Sequence, residues 1–242
     1  MFKFLKKIMN NEDVNLTDDG YSLHRILKTD IKKDPNIQED EIIFGCGCFW
    51  GAEKCFWKLP GVVTTSVGYA GGEKNNPTYY EVCSGLTGHS EVVRVIWDKR
   101  EIDVSDLLKM FWECHDPTQK NRQGNDMGTQ YRSAIYYKNE NNIKTILASK
   151  EQYQTELSKK NLGLIETEIK MIDSYFYAEQ YHQQYLASAG SRQYCSASPT
   201  KVKLGVFTGS NYKLEDHIWE NFNWEVDKCV LRSDNNPIKN NI

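Results

Sequence analysis

The sequence predicts an α+β fold built around one mixed sheet. Three observations lead there. Short β-branched runs and helical patterns follow one another in the order strand, helix, strand, strand, helix, strand, helix, strand. Glycine or Pro-Gly breakers separate several of these segments. No internal repeat competes with a single-sheet reading.

Ile42 to Gly47 is an apolar run ending in glycines and reads as a buried strand. Trp50 to Leu59 carries helix formers and stops at Pro60-Gly61. Val62 to Tyr69 is β-branched and ends at Ala70-Gly71-Gly72, and Glu91 to Trp97 follows a glycine turn; both read as strands. Ser105 to His115 puts Leu107, Leu108, Phe111, Trp112 and His115 on one helical face. Asp116 to Gln130 is polar and aperiodic, and a loop of that length inside a domain is usually functional. A strand is expected at Arg132–Lys138, an amphipathic helix from Asn139 to about Lys160, a strand at Glu166–Ile172 and a short helix at Ala178–Leu186. This divides the chain into a polar extension (1–40), a central domain (41–190) and a tail (191–242) whose Trp219 and Trp224 can dock on the domain.

Composition removes several function classes. The formal net charge of −3, with 26% charged residues, is unlike the basic balance of a nucleic-acid binder. No apolar run reaches the length of a membrane span. The start, MFKFLKKIMNN, lacks the apolar core and cleavage site of a secretory signal, and the acidic residues after it count against organelle targeting. Seven cysteines, an odd number, point to a reducing compartment such as the cytoplasm with one or more reactive thiols, the majority being small buried hydrophobes.

The informative element is Gly45-Cys46-Gly47-Cys48-Phe49-Trp50-Gly51-Ala52-Glu53. A buried strand ends in glycines, Cys48 follows, and a helix starts at once. Backbone N–H groups and the helix dipole at such a terminus stabilise an anion, which predicts a lowered thiol pKa and a nucleophilic Cys48. A metal set of Cys46, Cys48 and Cys55 is the competing reading. It lacks a matching Cys/His pair at zinc-like spacing, so neither metal nor cofactor is expected.

The sequence resembles the peptide methionine sulfoxide reductases of the A type over about residues 41–195. The resemblance rests on Gly47-Cys48-Phe49-Trp50-Gly51-Ala52-Glu53, Val67-Gly68-Tyr69-Ala70-Gly71-Gly72, Asn76-Pro77-Thr78-Tyr79 and Gly88-His89-Ser90-Glu91. It continues through His115-Asp116-Pro117-Thr118-Gln119, Gln123-Gly124-Asn125-Asp126, Gly128-Thr129-Gln130-Tyr131-Arg132-Ser133 and Ala178 to Leu186. Each piece is weak alone; all of them in this order are highly specific. The resemblance implies a two-layer α/β sandwich with a mixed sheet, a ferredoxin-like core and long loops. It implies reduction of the S epimer of methionine sulfoxide, free or in oxidised proteins, by a monomer, as repair after oxidative stress.

That chemistry needs a thiolate to attack sulfur and an acid to protonate the departing oxygen. Cys48 matches the nucleophile. Glu91, at the start of an apolar strand, reads from the residues alone as either a buried acid or a strand-edge carboxylate, and the resemblance assigns it the acid role. Phe49 and Trp50 match the pocket for the substrate methyl group. Tyr79 and Tyr131 match the hydroxyls that bind the sulfoxide oxygen, and Asp126 matches the active-site aspartate. Reduction leaves a sulfenic acid, which a second thiol must condense with. Cys195 matches that thiol, with thioredoxin expected to reduce the disulfide. The tail departs from the common pattern: it is longer, poorer in glycine, and carries an extra thiol, Cys229, taken as idle. Two other classes stay open at this stage. A hydrolase would use His182 as the base for Cys48. A non-catalytic binder would use Phe49, Trp50, Tyr79 and Tyr131 as an aromatic methyl cage.

Overall fold

The structure is a computed structural model that describes residues 22–226 and 228–240. The basic start, Met1–Asn11, lies outside the described residues. The main elements are β1 (Glu39–Cys46), α1 (Phe49–Trp57), β2 (Val62–Ala70), α2 (Tyr79–Cys83), β3 (Ser90–Asp98) and α3 (Val104–Cys114). Two short strands follow, β4 (Arg122–Gln123) and β5 (Asp126–Met127). They precede β6 (Ser133–Tyr137), α4 (Ile143–Lys159), β7 (Glu168–Met171) and β8 (Tyr175–Tyr177). The tail adds α5 (Asp216–Trp219) and α6 (Cys229–Arg232). The order expected from sequence is present, and the fold is mixed α+β.

One six-stranded sheet runs β7-β6-β1-β3-β2-β8. Every neighbouring pair is antiparallel except β6 and β7, which are joined through α4 and run parallel. Alternation along β1 sorts the two faces. Ile42, Phe44 and Cys46 enter the large core under α1, α3 and α4, while Ile43 joins a smaller cluster with Val92, Ala134 and Tyr136 on the other face. Phe44 stacks between Phe56 of α1 and Phe111 of α3, with ring centroids 4.8 and 5.1 Å away, and so locks both helices to the central strand.

Three segments differ from expectation. The Ala178–Leu186 helix is instead two 3-10 turns, Gln180–His182 and Tyr185–Ala187. Gln183 spends its side-chain amide on the Val67 backbone, and Gln184, at φ 46°, bonds Glu53 through its backbone N–H and its side chain. These tertiary bonds replace the helical ladder. The polar stretch Asp116–Gln130 contains the β4–β5 hairpin, turning at Gly124 with φ 56°. Two short elements, α2 and β8, have no periodic signal long enough to read.

Both ends pack on the domain. In the described part of the N-terminal extension, His24 and Ile31 are buried, and the His24 Nε2 lies 2.9 Å from the Thr65 hydroxyl. The tail contributes Val202, Leu204, Phe207, Leu214, Ile218, Phe222, Trp224 and Val230 to the main core. Buried Lys54 and Lys58 of the α1 end donate to the Ser233, Asp234 and Asn236 carbonyls. Among the described residues, no helix is long and apolar enough to cross a membrane.

A buried ion pair ties the extension to the sheet. Arg94 of β3 donates Nε to Glu41 Oε2 at 2.5 Å, both guanidinium amines to the Lys33 carbonyl, and one of them to the Tyr177 hydroxyl. Glu41 also pairs with Lys138 at 2.7 Å, so it keeps a counter-charge when Arg94 is removed. Arg94→Ala is therefore expected to destabilise the fold by about 1.5–3 kcal/mol, the cost of the lost charged hydrogen bonds, read as a lower urea midpoint, and an unchanged midpoint contradicts this.

Candidate active site

The site starts at the end of β1. Gly47 adopts φ +86°, and a Cβ there would meet the Gln123 side chain at 2.5 Å. Only glycine permits this turn, which delivers Cys48 to the N-cap of α1. The Cys48 sulfur receives the backbone N–H of Trp50, as the sequence reading anticipates for a helix mouth. The expected lowering of its pKa does not follow. Burial, then the neighbouring Glu91 carboxylate, push the thiol well above its ordinary value and outweigh the single N–H donor. In the resting pocket Cys48 is a protonated thiol.

Glu91, second residue of β3, projects against the same turn. Its Oε2 accepts the Phe49 N–H at 3.2 Å, and its side chain is 1% exposed. Burial raises its pKa to about 8, opposed by the Phe49 N–H and assisted by Asp126. At neutral pH the carboxyl keeps its proton, and the carboxylate that would hold up the Cys48 thiol is largely absent.

Around these two groups, Phe49, Trp50, Tyr79, Asp126, Tyr131 and Tyr194 line one pocket. Tyr79 opens α2, where Thr78 and Glu81 form a capping box. Glu179 aims it: one carboxylate oxygen accepts the Tyr79 N–H at 2.8 Å and the other the Tyr69 hydroxyl at 2.8 Å. Tyr131 comes from the 3-10 turn Thr129–Tyr131. Burial raises both phenol pKa values, so Tyr79 and Tyr131 stay neutral donors. Asp126 sits on β5 and accepts the Tyr194 hydroxyl at 2.6 Å. Sequence reasoning missed Tyr194 and Glu179; neither carries a motif of its own, and Tyr194 is one of fourteen tyrosines.

His182 does not serve as a base. Its Nδ1 accepts the Trp50 indole N–H at 3.1 Å, its ring packs on Tyr79 and Phe49, and burial lowers its pKa to about 3. It orients the wall of the pocket, which removes the hydrolase arrangement.

Cys195 is not a wall of this pocket. Its sulfur lies over Gly51, 2.5 Å from where a Cβ would stand, and lines a second cavity with Cys46, Cys55 and Cys114. Burial pushes its pKa up to about 12. Cys229, at the start of α6, lines that second cavity too.

Comparison with known proteins agrees with this geometry. The family profile of peptide methionine sulfoxide reductase matches residues 40–212. The peptide methionine sulfoxide reductase MsrA of Vibrio vulnificus is 53% identical over 180 residues, covering 74% of this chain and 86% of that one. The MsrA of Azotobacter vinelandii is 57% identical over 164 residues, covering 68% and 76%. Among solved structures, methionine sulfoxide reductase A of Corynebacterium diphtheriae superposes with a TM-score of 0.61 at 43% identity, covering 69% of this chain and 84% of that one. The chain belongs to the peptide methionine sulfoxide reductase family.

Proposed function

We propose that this chain reduces the S epimer of methionine sulfoxide, free or in oxidised proteins, with Cys48 as nucleophile and Glu91 as acid. One observation carries this reading: a carboxyl that is protonated at neutral pH is buried against the turn that presents the thiol, inside a pocket walled by Phe49 and Trp50. The apolar rings receive the substrate methyl group, and the Tyr79 and Tyr131 hydroxyls bind the sulfoxide oxygen. Asp126, held by Tyr194, completes the polar side.

The step balances without an external proton. Glu91 gives its proton to the sulfoxide oxygen, and the Cys48 thiol proton returns to Glu91 as sulfur attacks sulfur. The hydroxyl then passes from the substrate sulfur to the Cys48 sulfur as the S–O bond and the newly formed S–S bond break, so methionine leaves and Cys48 becomes a sulfenic acid. Cys195 then attacks that sulfur, expelling water and forming the Cys48–Cys195 disulfide. A dithiol of the thioredoxin class reduces it. Cys229 takes no step in this cycle. In this reading the protein works as a monomer in the cytoplasm, in protein repair. The chain divides for this purpose into the extension 1–40, the catalytic domain 41–190 and the tail 191–242.

The direct test is turnover with dithiothreitol on the separated epimers. The S epimer is expected to be consumed and the R epimer left; reduction of neither epimer removes the reading, and so does activity surviving in Cys48→Ser. Because Glu91 must hold its proton, the rate is expected to fall about tenfold per pH unit above about 8. Glu91→Gln is expected to be far slower throughout and to lose that limb. Cys195→Ser is expected to release one equivalent of methionine and then stop with thioredoxin as reductant. Gly51→Ala pushes on the Cys195 sulfur, so it is expected to slow disulfide formation severalfold while sparing the first equivalent of methionine. Equal loss in both phases contradicts the placing of Cys195 across Gly51.

A further inference from the structure

The cavity behind α1 gathers thiols that the reductase cycle does not use. Cys46 ends β1, Cys55 lies one turn beyond Gly51 in α1, and Cys114 ends α3; all three line this space. The cavity itself is about 20 Å³, room for one water-sized body. The Cys114 thiol is hydrogen-bonded to both Cys46 and Cys55. His115, next in the chain, brings its Nδ1 to 4.0 Å from the Cys114 sulfur. Ligand atoms of Cys46, Cys114 and His115 lie within 4.8 Å of one another, and all three residues are buried.

We propose that Cys46, Cys114 and His115, with Cys55 as the fourth donor, form a binding site for a thiophilic d10 cation, Zn2+ or Cu+. The donor set is three sulfurs and one imidazole, drawn from three elements of the core. A tetrahedral zinc site needs metal–sulfur distances of about 2.3 Å and metal–nitrogen distances of about 2.0–2.1 Å. The three donors Cys46, Cys114 and His115 already stand within about an ångström of the donor–donor spacing this implies, and Cys55, which lines the same cavity, must turn inward to complete the shell. The imidazole is held at both ends, by the Phe111 carbonyl at 2.7 Å and the Ser133 hydroxyl at 2.8 Å. One of these bonds gives way to the cation, and the other remains as the anchor that metal-bound histidines use. Coordination releases the thiol protons to solvent, so affinity falls as pH falls. Ala197 and Lys228 of the tail line the cavity opposite α1 residues Gly51, Ala52 and Cys55. The set differs from the Cys46, Cys48 and Cys55 grouping considered from sequence, because Cys48 belongs to the substrate pocket. It stands independently of the reductase reading.

The test is titration of the reduced chain with Cd2+, followed by thiolate-to-metal charge-transfer absorption. One equivalent is expected to saturate the band, in wild type and in Cys48→Ser and Cys195→Ser alike. Cys114→Ser is expected to abolish it, Cys46→Ser to shrink it, and His115→Asn to weaken binding by at least about tenfold. Should Cys114→Ser fail to fold by circular dichroism, Cys46→Ser and His115→Asn decide. Displacement of Cd2+ by Zn2+ or by Cu+ supports the site and says which cation it prefers. Absence of a saturable band overturns the proposal. So does a band that disappears with Cys195→Ser or Cys48→Ser but persists in Cys114→Ser, which assigns the ion to the redox pair.

Discussion

A carboxyl group with no counter-charge, buried behind the first turn of α1, sets the terms for everything around it. Among the described residues Glu91 has no lysine or arginine partner, and the Phe49 N–H is the hydrogen-bond donor to its carboxyl. An ionised carboxylate there would pay a desolvation penalty that one N–H cannot offset, so the group stays protonated. The sheet enforces the burial. Glu91 pairs with Tyr69 across β2 and β3, and α1 covers that face. The same turn that brings Glu91 its hydrogen bond carries the reactive sulfur, so the acid and the nucleophile are placed by one piece of backbone.

The raised pKa of Cys48 belongs to the same logic. A thiol held neutral in the resting pocket is poor at reacting with stray oxidants, because the thiolate is the reactive form. In the proposed step a bound sulfoxide changes the balance: once its oxygen takes the Glu91 proton, the resulting carboxylate is a base beside a thiol that already receives the Trp50 N–H. Reactivity is then coupled to occupancy of the pocket rather than built into the free cysteine. Lowering a cysteine pKa at a helix mouth is the simpler rule, and here burial outweighs it.

Much of this was legible from residues and some was not. The strand-to-helix turn could be read because glycines bracket Cys48 before an apolar helix. The order of elements along the chain could be read because β1, β2, β3 and α3 have clear periods. The tail could not: Leu204, Phe207, Leu214 and Ile218 are buried without helical or strand spacing, so the chain looks like a loop while behaving as core. The Ala178–Leu186 segment was misread because Gln183 and Gln184 look like ordinary helix residues, and only Val67 and Glu53 reveal why they are not. Tyr79 and Tyr131 were identifiable through family resemblance alone, and Glu179, which positions α2, carries no local mark at all.

Gly51 joins the two chemistries of the molecule. A glycine inside a helix costs roughly 0.5–1 kcal/mol relative to alanine, so a nine-residue helix that carries one needs a compensating reason. The reason is approach. Positions 48, 51 and 55 share one face of α1, and with no side chain at 51 the Cys195 sulfur reaches that face near Cys48 while lining the thiol-rich cavity rather than the substrate pocket. Cys195 can rest against the backbone itself, close to the nucleophile yet outside the pocket the substrate must fill. A bulkier residue would separate the two sulfurs and loosen the tail that Lys54 and Lys58 strap to the same helix. The helix therefore serves three tasks at once: its mouth presents Cys48, its missing side chain admits Cys195, and its far end holds the close of the tail at Ser233, Asp234 and Asn236.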